Sequence, residues 1–184
     1  MGFAYGEYKP NNWFVNGVLS YGGSKYDEKK YALGTHYDAK YDAHIASAAA
    51  MTGYQYGIFT PEAGLRYYHI KQSGYTDTAG QSVEGDESDI LRGVAGVRMA
   101  KDFGQFRPEA YLGITYDLAS DKSNTTVNLA NGNSYTVQGK RLDKLGYEAS
   151  LSFATTLSDN ITASVSYLGA YREHTGMLNV KYSF

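Results

Sequence analysis

Apolar side chains recur at every second position along most of this chain, and this alternation restricts its fold more than any other feature. Near the C-terminus, apolar residues occupy the even positions from Leu178 to Phe184, and polar residues occupy the positions between them. A strand sends alternate side chains to opposite faces, whereas a helix would scatter both sets around its circumference. The sequence therefore predicts nine amphipathic strands, at residues 3–8, 13–21, 43–56, 61–67, 91–99, 108–118, 145–157, 161–171 and 177–184.

The connections between these strands alternate in length. Short turns are predicted at residues 9–12, 56–58, 102–105 and 158–160. Long loops rich in Gly, Ser, Asn, Asp and Thr are predicted at 25–40, 73–88 and 121–141, with a shorter loop at 173–176. Tight turns on one side and long loops on the other are typical of an antiparallel transmembrane β-barrel of the bacterial outer membrane, whose apolar side chains face lipid.

Aromatic residues gather at both ends of the predicted strands. The chain has 184 residues, of which 19 are Tyr, 7 are Phe and 1 is Trp. One band lies near the short turns and comprises Tyr8, Trp13, Phe14, Tyr54, Tyr56, Phe59, Phe103, Phe106, Tyr182 and Phe184. A second lies near the loops and comprises Tyr21, Tyr26, Tyr41, Tyr67, Tyr116 and Tyr171. Amphipathic rings favour the lipid–water boundary, so two bands are typical of a chain that crosses a membrane. A soluble β-sandwich would explain the alternation, but it would explain neither the two bands nor the long loops on one side.

Composition removes several classes of function. The net charge of -2 offers no basic excess to neutralise phosphates, so nucleic acid is not an expected partner. The absence of Cys excludes disulfides, thiolate metal sites and cysteine catalysis. No stretch approaches 18 consecutive apolar residues, so no transmembrane helix is predicted. No glycine spacing matches a phosphate-binding loop, and neither a metal site nor a cofactor is expected.

The face opposite the apolar stripe carries the charges. If lipid meets the apolar face, this second face lines a lumen, since an ionised group facing lipid costs about 2–4 kcal/mol at the bilayer midplane. Both signs are present, so the lining either forms a salt-bridged polar core or hydrates a passing polypeptide. The predicted lumen-lining residues are Glu62, Arg66, Arg92, Arg98, Arg107, Glu109, Asp117, Glu148, Arg172 and Lys181.

Four histidines lie toward the loop side. His36 and His174 are expected in loops, and His44 and His69 at loop-side strand ends. A His–carboxylate pair at such a rim could act as a general base, which keeps a rim hydrolase among the alternatives. No Ser/His/Asp or paired-Asp constellation stands out, so the sequence predicts a protein that is not an enzyme.

The C-terminal segment resembles the assembly signal of bacterial outer-membrane barrels, which the barrel-assembly machinery reads through a terminal Phe and a preceding Tyr. The residues that carry this resemblance are Gly176, Leu178, Val180, Tyr182 and Phe184. An edge strand with an aromatic stripe is also a physical template for adding a strand.

The layout further resembles the β-domain of autotransporters, the type V secretion proteins. The resemblance includes the turn at 9–13, the strand starts at Thr60–Leu65 and Phe106–Ala110, and the segments from Tyr147 to Phe153 and from Gly176 to Phe184. It implies a twelve-stranded barrel with a helix through its pore and an N-terminal passenger. Residues 1–184 then correspond to the last nine strands, with the first three strands, the pore helix and the passenger missing from the N-terminal side.

The expected function is therefore that of a translocator in the bacterial outer membrane that anchors and helps to export its own passenger polypeptide. Its expected partners are outer-membrane lipid, the barrel-assembly machinery and that passenger. The alternative is a small complete barrel whose surface loops bind ligands, as in adhesins or porins. That alternative needs an even number of strands, which merging or splitting one weak strand would supply.

Overall fold

The computed structural model describes residues 1–32, 35–120, 124–138, 144–158, 160–170 and 173–182. Thirteen β-strands lie in this part of the chain: β1 (Gly2–Tyr8), β2 (Trp13–Ala32), β3 (Thr35–Tyr54), β4 (Phe59–Gln72), β5 (Tyr75–Thr76), β6 (Ser82–Val83), β7 (Asp86–Ala100), β8 (Phe106–Ser120), β9 (Asn124–Asn128), β10 (Ser134–Gln138), β11 (Leu145–Ser158), β12 (Ile161–Ala170) and β13 (Glu173–Tyr182). Among these residues, no helix is long and apolar enough to cross a membrane.

Nine of the strands form one antiparallel sheet, in the order β1-β2-β3-β4-β7-β8-β11-β12-β13. Each strand pairs with the next long strand in the chain, which is the arrangement that the tight turns predict. The short strand predicted at 3–8 and the alanine-rich strand predicted at 43–56 are both present, as β1 and as part of β3. Gly57 and Gly104 adopt positive φ angles of 61° and 83° in two of the short turns, a conformation that side chains with a Cβ rarely tolerate.

Two predicted loops are wrong, because the strands continue through them. Residues 25–40 belong mostly to β2 and β3, which remain paired from Trp13–Tyr54 to Ala32–Thr35. Cross-strand contacts explain the extension: the Tyr26 and Tyr41 rings stack at a centroid distance of 5.0 Å, and Lys40 Nζ lies 3.5 Å from Asp27 Oδ2. The short loop predicted at 173–176 is the beginning of β13.

A second sheet, in the order β10-β9-β6-β5, occupies the loops predicted at 73–88 and 121–141. It is joined to the protruding part of β3 by the Tyr41–Tyr75 ring stack at 5.1 Å and, from the turn between β5 and β6, by Thr78 N donating to Asp38 O at 3.1 Å. Two of its strands are only two residues long, too short to produce an alternation in the sequence. The sequence analysis predicted only loops in these regions, and this sheet was missed.

The two faces of the nine-stranded sheet have inverted polarity. The outward face, defined by the phase of Leu112 and Leu178, carries most of the exposed large apolar side chains. The opposite, inward face carries Glu62, Thr115 and Asp117, all buried. In the described part of the chain no second layer covers the outward face. A soluble sandwich core would require the reverse arrangement.

A tyrosine packs across glycines on the inward face. The Tyr111 ring lies over Gly96 and Gly113, and a Cβ at Gly96 would stand 2.6 Å from the Tyr111 hydroxyl. The guanidinium carbon of Arg98 lies 5.5 Å from the ring centroid, a cation–π arrangement. Because glycine has no side chain, these two positions leave space for the aromatic ring beside the charged groups.

The bands of aromatic residues are partly as predicted. Tyr21, Tyr67 and Tyr116 lie outward at the loop side, while Tyr171 falls outside the described residues. By the β2–β3 register, Tyr26 and Tyr41 have the inward phase, beyond the main apolar region. Their rings stack on each other, and the Tyr41 ring also stacks on Tyr75, so neither belongs to the outward band.

Candidate pore-lining site and assembly edge

Three adjacent strands bring one arginine between two glutamates on the inward face. Arg98 of β7 donates from Nη2 to Glu62 Oε1 at 2.9 Å and from Nε to Glu62 Oε2 at 3.3 Å. Its Nη1 contacts Glu109 of β8. The Glu62 side chain is only 5% exposed, so its carboxylate depends on this guanidinium for compensation.

Two further bidentate pairs extend the network toward the loop side. Arg92 donates to both oxygens of Asp117 at 2.6 and 3.3 Å. Arg66 of β4 donates to both oxygens of Glu148 of β11 at 2.6 and 3.1 Å. β4 and β11 are three strand spacings apart, or about 14 Å along a flat sheet. Their side chains meet across the inward surface, so this surface is concave at that level.

The remaining predicted lumen-lining residues do not join these pairs. Arg107 has an inward register position at the turn side, next to a cavity of about 390 Å³ that Glu7, Glu62 and Arg98 also line. Lys181 has an inward register position on β13, opposite Thr162. Arg172 lies outside the described residues. The structure thus brings together seven of the ten predicted residues: Glu62, Arg66, Arg92, Arg98, Glu109, Asp117 and Glu148.

The predicted assembly signal lies on an open edge of the sheet. β13 pairs only with β12, and in the described residues no ladder joins it to β1. Gly176, Leu178, Val180 and Tyr182 share the outward phase, and the last three are 76%, 68% and 59% exposed. Phe184 lies outside the described residues. β13 therefore presents a row of backbone donors and acceptors beside an apolar stripe.

The histidines are in strands, and three have described side chains on the outward face. Nδ1 of His44 lies 3.0 Å from the Tyr21 hydroxyl, and Nδ1 of His174 lies 2.7 Å from the Tyr167 hydroxyl. His174 was expected in a loop but pairs with Gly169 in the β12–β13 ladder. His36 was also expected in a loop, and its position falls within β3.

Sequence reasoning missed a cluster around the third of these histidines. His69 Nδ1 lies 2.9 Å from Asp89 Oδ1, and the Tyr67 hydroxyl donates to the same oxygen at 2.5 Å. Glu87 completes the group. The alternation predicts which face each residue lies on. It does not predict which residues are paired across strands, and the pairing of His69 with Asp89 follows only from the register of β4 against β7.

The comparisons with known proteins agree with this architecture. The model of the autotransporter β-domain family matches residues 1–168. Among solved structures, the chain is similar to the translocator domain of the autotransporter NalP from Neisseria meningitidis, with a TM-score of 0.76 and 22% sequence identity. The match covers 99% of this chain and 64% of the NalP chain, so this chain spans somewhat less than two thirds of that domain. No curated protein sequence matches significantly.

Proposed function

This chain belongs to the autotransporter β-domain family, and from this premise we propose that it is the C-terminal portion of a translocator barrel in the bacterial outer membrane. The barrel anchors an attached passenger polypeptide and helps to export it. The observation that carries the proposal is the inverted polarity of the sheet, with apolar side chains exposed outward and charged side chains buried inward. Membership and inverted polarity together favour a lipid-embedded pore over a soluble binding domain.

Outward side chains supply the contact with lipid. A strand rises about 3.3 Å per residue, so the 15 residues of β8 are long enough to cross a hydrocarbon core of ~25 Å at a tilt. Leu112 and Ile114, each 60% exposed, lie near the middle of that strand. Transfer of such side chains from water to lipid drives insertion without any bond chemistry.

Inward ion pairs keep the pore surface polar without leaving a large net charge. The guanidinium groups of Arg66, Arg92 and Arg98 face four carboxylates, so the network has a net charge of about -1 with all groups ionised. A wall of this kind hydrates an extended polypeptide but binds neither acidic nor basic segments strongly. This balance suits a pore that must release what passes through it.

The sheet needs further strands to close around a pore. With nine antiparallel strands, β1 and β13 run parallel, and an antiparallel barrel has an even number of strands. Open edges in lipid would leave backbone donors and acceptors unpaired, at several kcal/mol per group. We propose that three strands on the N-terminal side of residues 1–184 complete a twelve-stranded barrel.

The edge strand β13 is proposed to dock on the barrel-assembly machinery by strand addition. Its open ladder supplies the hydrogen bonds, and its outward stripe at Leu178, Val180 and Tyr182, continued in the sequence by Phe184, supplies side chains for recognition. Lipid, the assembly machinery and the passenger are thus the proposed partners, each meeting a different part of the chain.

The experiment measures passenger exposure on intact cells that produce the full-length protein. In one variant the outward pair Leu178 and Val180 is replaced by Ser; in the matched variant the inward pair Met177 and Asn179 is replaced by Ser. We expect the outward variant to lower both the folded, heat-modifiable barrel and the surface passenger by at least about tenfold, because each lost apolar side chain removes about 1.5 kcal/mol or more of lipid transfer.

The matched inward variant should export passenger at close to the wild-type level, since it changes neither the outward stripe nor the edge hydrogen bonds. Equal losses in both variants would contradict the proposed role of the outward stripe. A folded barrel in the outer membrane that leaves its passenger inside the cell would contradict the translocator function itself.

A further inference from the structure

The outward face holds a group of metal-ligating side chains that the translocator function does not use. His69 of β4 stands opposite Asp89 of β7, and Lys71 stands opposite Glu87 in the same ladder. One donor atom from each of His69, Glu87 and Asp89 lies within 4.8 Å of the others. His69 Nδ1 is 2.9 Å from Asp89 Oδ1, and His69 Nε2 is 3.8 Å from Glu87 Oε1.

These carboxylates differ from the paired carboxylates of the inward face. Glu62, Glu109, Asp117 and Glu148 each contact a guanidinium group. Glu87 instead contacts the ammonium group of Lys71 at 3.5 Å, and Asp89 contacts only the Tyr67 hydroxyl and His69 among the partners above. Two carboxylates and one ammonium group leave the cluster with an excess negative charge before the imidazole is counted, and a bound cation would compensate it.

The spacing suits a small tetrahedral ion. Zn²⁺ binds imidazole nitrogen and carboxylate oxygen at about 2.0–2.2 Å, which places tetrahedral donors roughly 3.3 Å apart. The distances of 2.9 and 3.8 Å start from different ring nitrogens of His69, and one ion binds only one of them. With one donor atom from each residue, the three donors lie within 4.8 Å of one another, so side-chain rotations that bring them up to roughly 1.5 Å closer would form a tetrahedral set. Ca²⁺ and Mg²⁺ need six or more oxygen ligands, and a cluster with one nitrogen and two carboxylates fits them poorly.

We propose that His69, Glu87 and Asp89 bind a divalent transition-metal ion of the Zn²⁺ class on the outward surface at the loop side of the sheet. Each of the three residues supplies one donor, and water occupies the remaining position. The Tyr67 hydroxyl, which donates to Asp89 at 2.5 Å, orients this carboxylate as an outer hydrogen-bond partner. Lys71 opposes the ion, because its ammonium group lies beside Glu87.

The test uses the intact full-length protein, extracted in its folded form into detergent, stripped with a chelator and titrated with Zn²⁺ in a calorimeter. We expect about one Zn²⁺ per chain and a loss of affinity of tenfold or more in His69→Gln, Glu87→Gln and Asp89→Asn. His44→Gln is the matched control, because His44 is another outward histidine whose Nδ1 lies near a tyrosine hydroxyl. It should bind Zn²⁺ like the wild type.

Lys71→Gln gives a second readout with the opposite sign. Removing a positive charge a few ångströms from the ion should tighten Zn²⁺ binding by roughly fivefold at the boundary with water. Heat modifiability on gels reports whether each variant is folded. Wild-type binding no tighter than that of folded Asp89→Asn, or an equal loss in His44→Gln, would overturn the proposal, as would weaker binding in folded Lys71→Gln.

Discussion

The two faces of the nine-stranded sheet carry different chemistry on the same backbone. On β11, Leu151 points outward and is 53% exposed. Glu148, three residues earlier on the same strand, points inward and pairs with Arg66. In a soluble sheet the apolar face would be the covered one. Here the buried side chains include the carboxylates of Glu62 and Asp117, which are stabilised by ion pairs with arginines.

The difference between the faces fits a barrel in which each face meets a different solvent. In the proposed barrel, outward side chains need no protein partners, because lipid covers them. Inward charged side chains are desolvated by their neighbours and therefore need partners of opposite sign. The same substitution should consequently have very different effects on neighbouring residues of one strand, which provides direct tests.

A positive charge on the outward face should have the largest effect. We expect Leu151→Arg to lower the free energy of unfolding in lipid vesicles by about 2–4 kcal/mol, because an arginine near the midplane must leave water for lipid. Ser152→Arg is the control on the next residue. Its side chain points inward, and its ladder partner is Glu109, so the change should stay within about 0.5 kcal/mol. Equal losses in both variants would mean that lipid does not cover the outward face.

Breaking the inward network should have a somewhat smaller effect. We expect Arg98→Gln to lower the free energy of unfolding by about 1.5–3 kcal/mol, the range for hydrogen bonds to charged groups, since Glu62 and Glu109 lose their guanidinium partner. Urea titration in detergent measures the difference. Arg107→Gln removes an inward arginine that belongs to none of the described ion pairs and should change stability by less than about 0.5 kcal/mol. If both variants are equally stable, inward pairing contributes nothing to stability.

Period-two alternation predicted seven of the nine strands and the faces of their charged residues that the structure describes, and hairpin pairing with a clear neighbour added the strands at 3–8 and 43–56. Alternation is this informative because lipid contact imposes a strict phase on every strand that crosses a bilayer, so the signal repeats from strand to strand. The faces of Glu62, Arg66 and Glu148 follow from this phase. The fact that Arg66 and Glu148 meet does not, because it depends on the concavity of a sheet whose strands β7 and β8 lie between them.

Regions beyond the proposed membrane-spanning part escaped prediction for the same physical reason. In the proposed barrel, the extension of β2 and β3 through residues 25–40 lies where no lipid imposes a phase, so polar composition predicted a loop. Ring stacking between Tyr26 and Tyr41 keeps these strands paired. The cluster around His69 needs the register of β4 against β7, which hydrophobic alternation does not contain.

The variant with the smallest expected effect tests whether water hydrates the inward face. The Tyr111 hydroxyl is buried and finds no hydrogen-bond partner among the described residues, although its ring packs over Gly96 and Gly113. Tyr111→Phe keeps this packing and the contact with Arg98 while it removes a buried, unpaired polar atom. Unfolding measurements should therefore find the variant equal to the wild type or more stable by up to about 1 kcal/mol. Tyr67→Phe, which removes the hydroxyl that donates to Asp89 at 2.5 Å, should instead lose about 0.5–1.5 kcal/mol. A loss of that size in Tyr111→Phe would mean that water binds the Tyr111 hydroxyl. The inward face would then be hydrated as far as the backbone at Gly96 and Gly113.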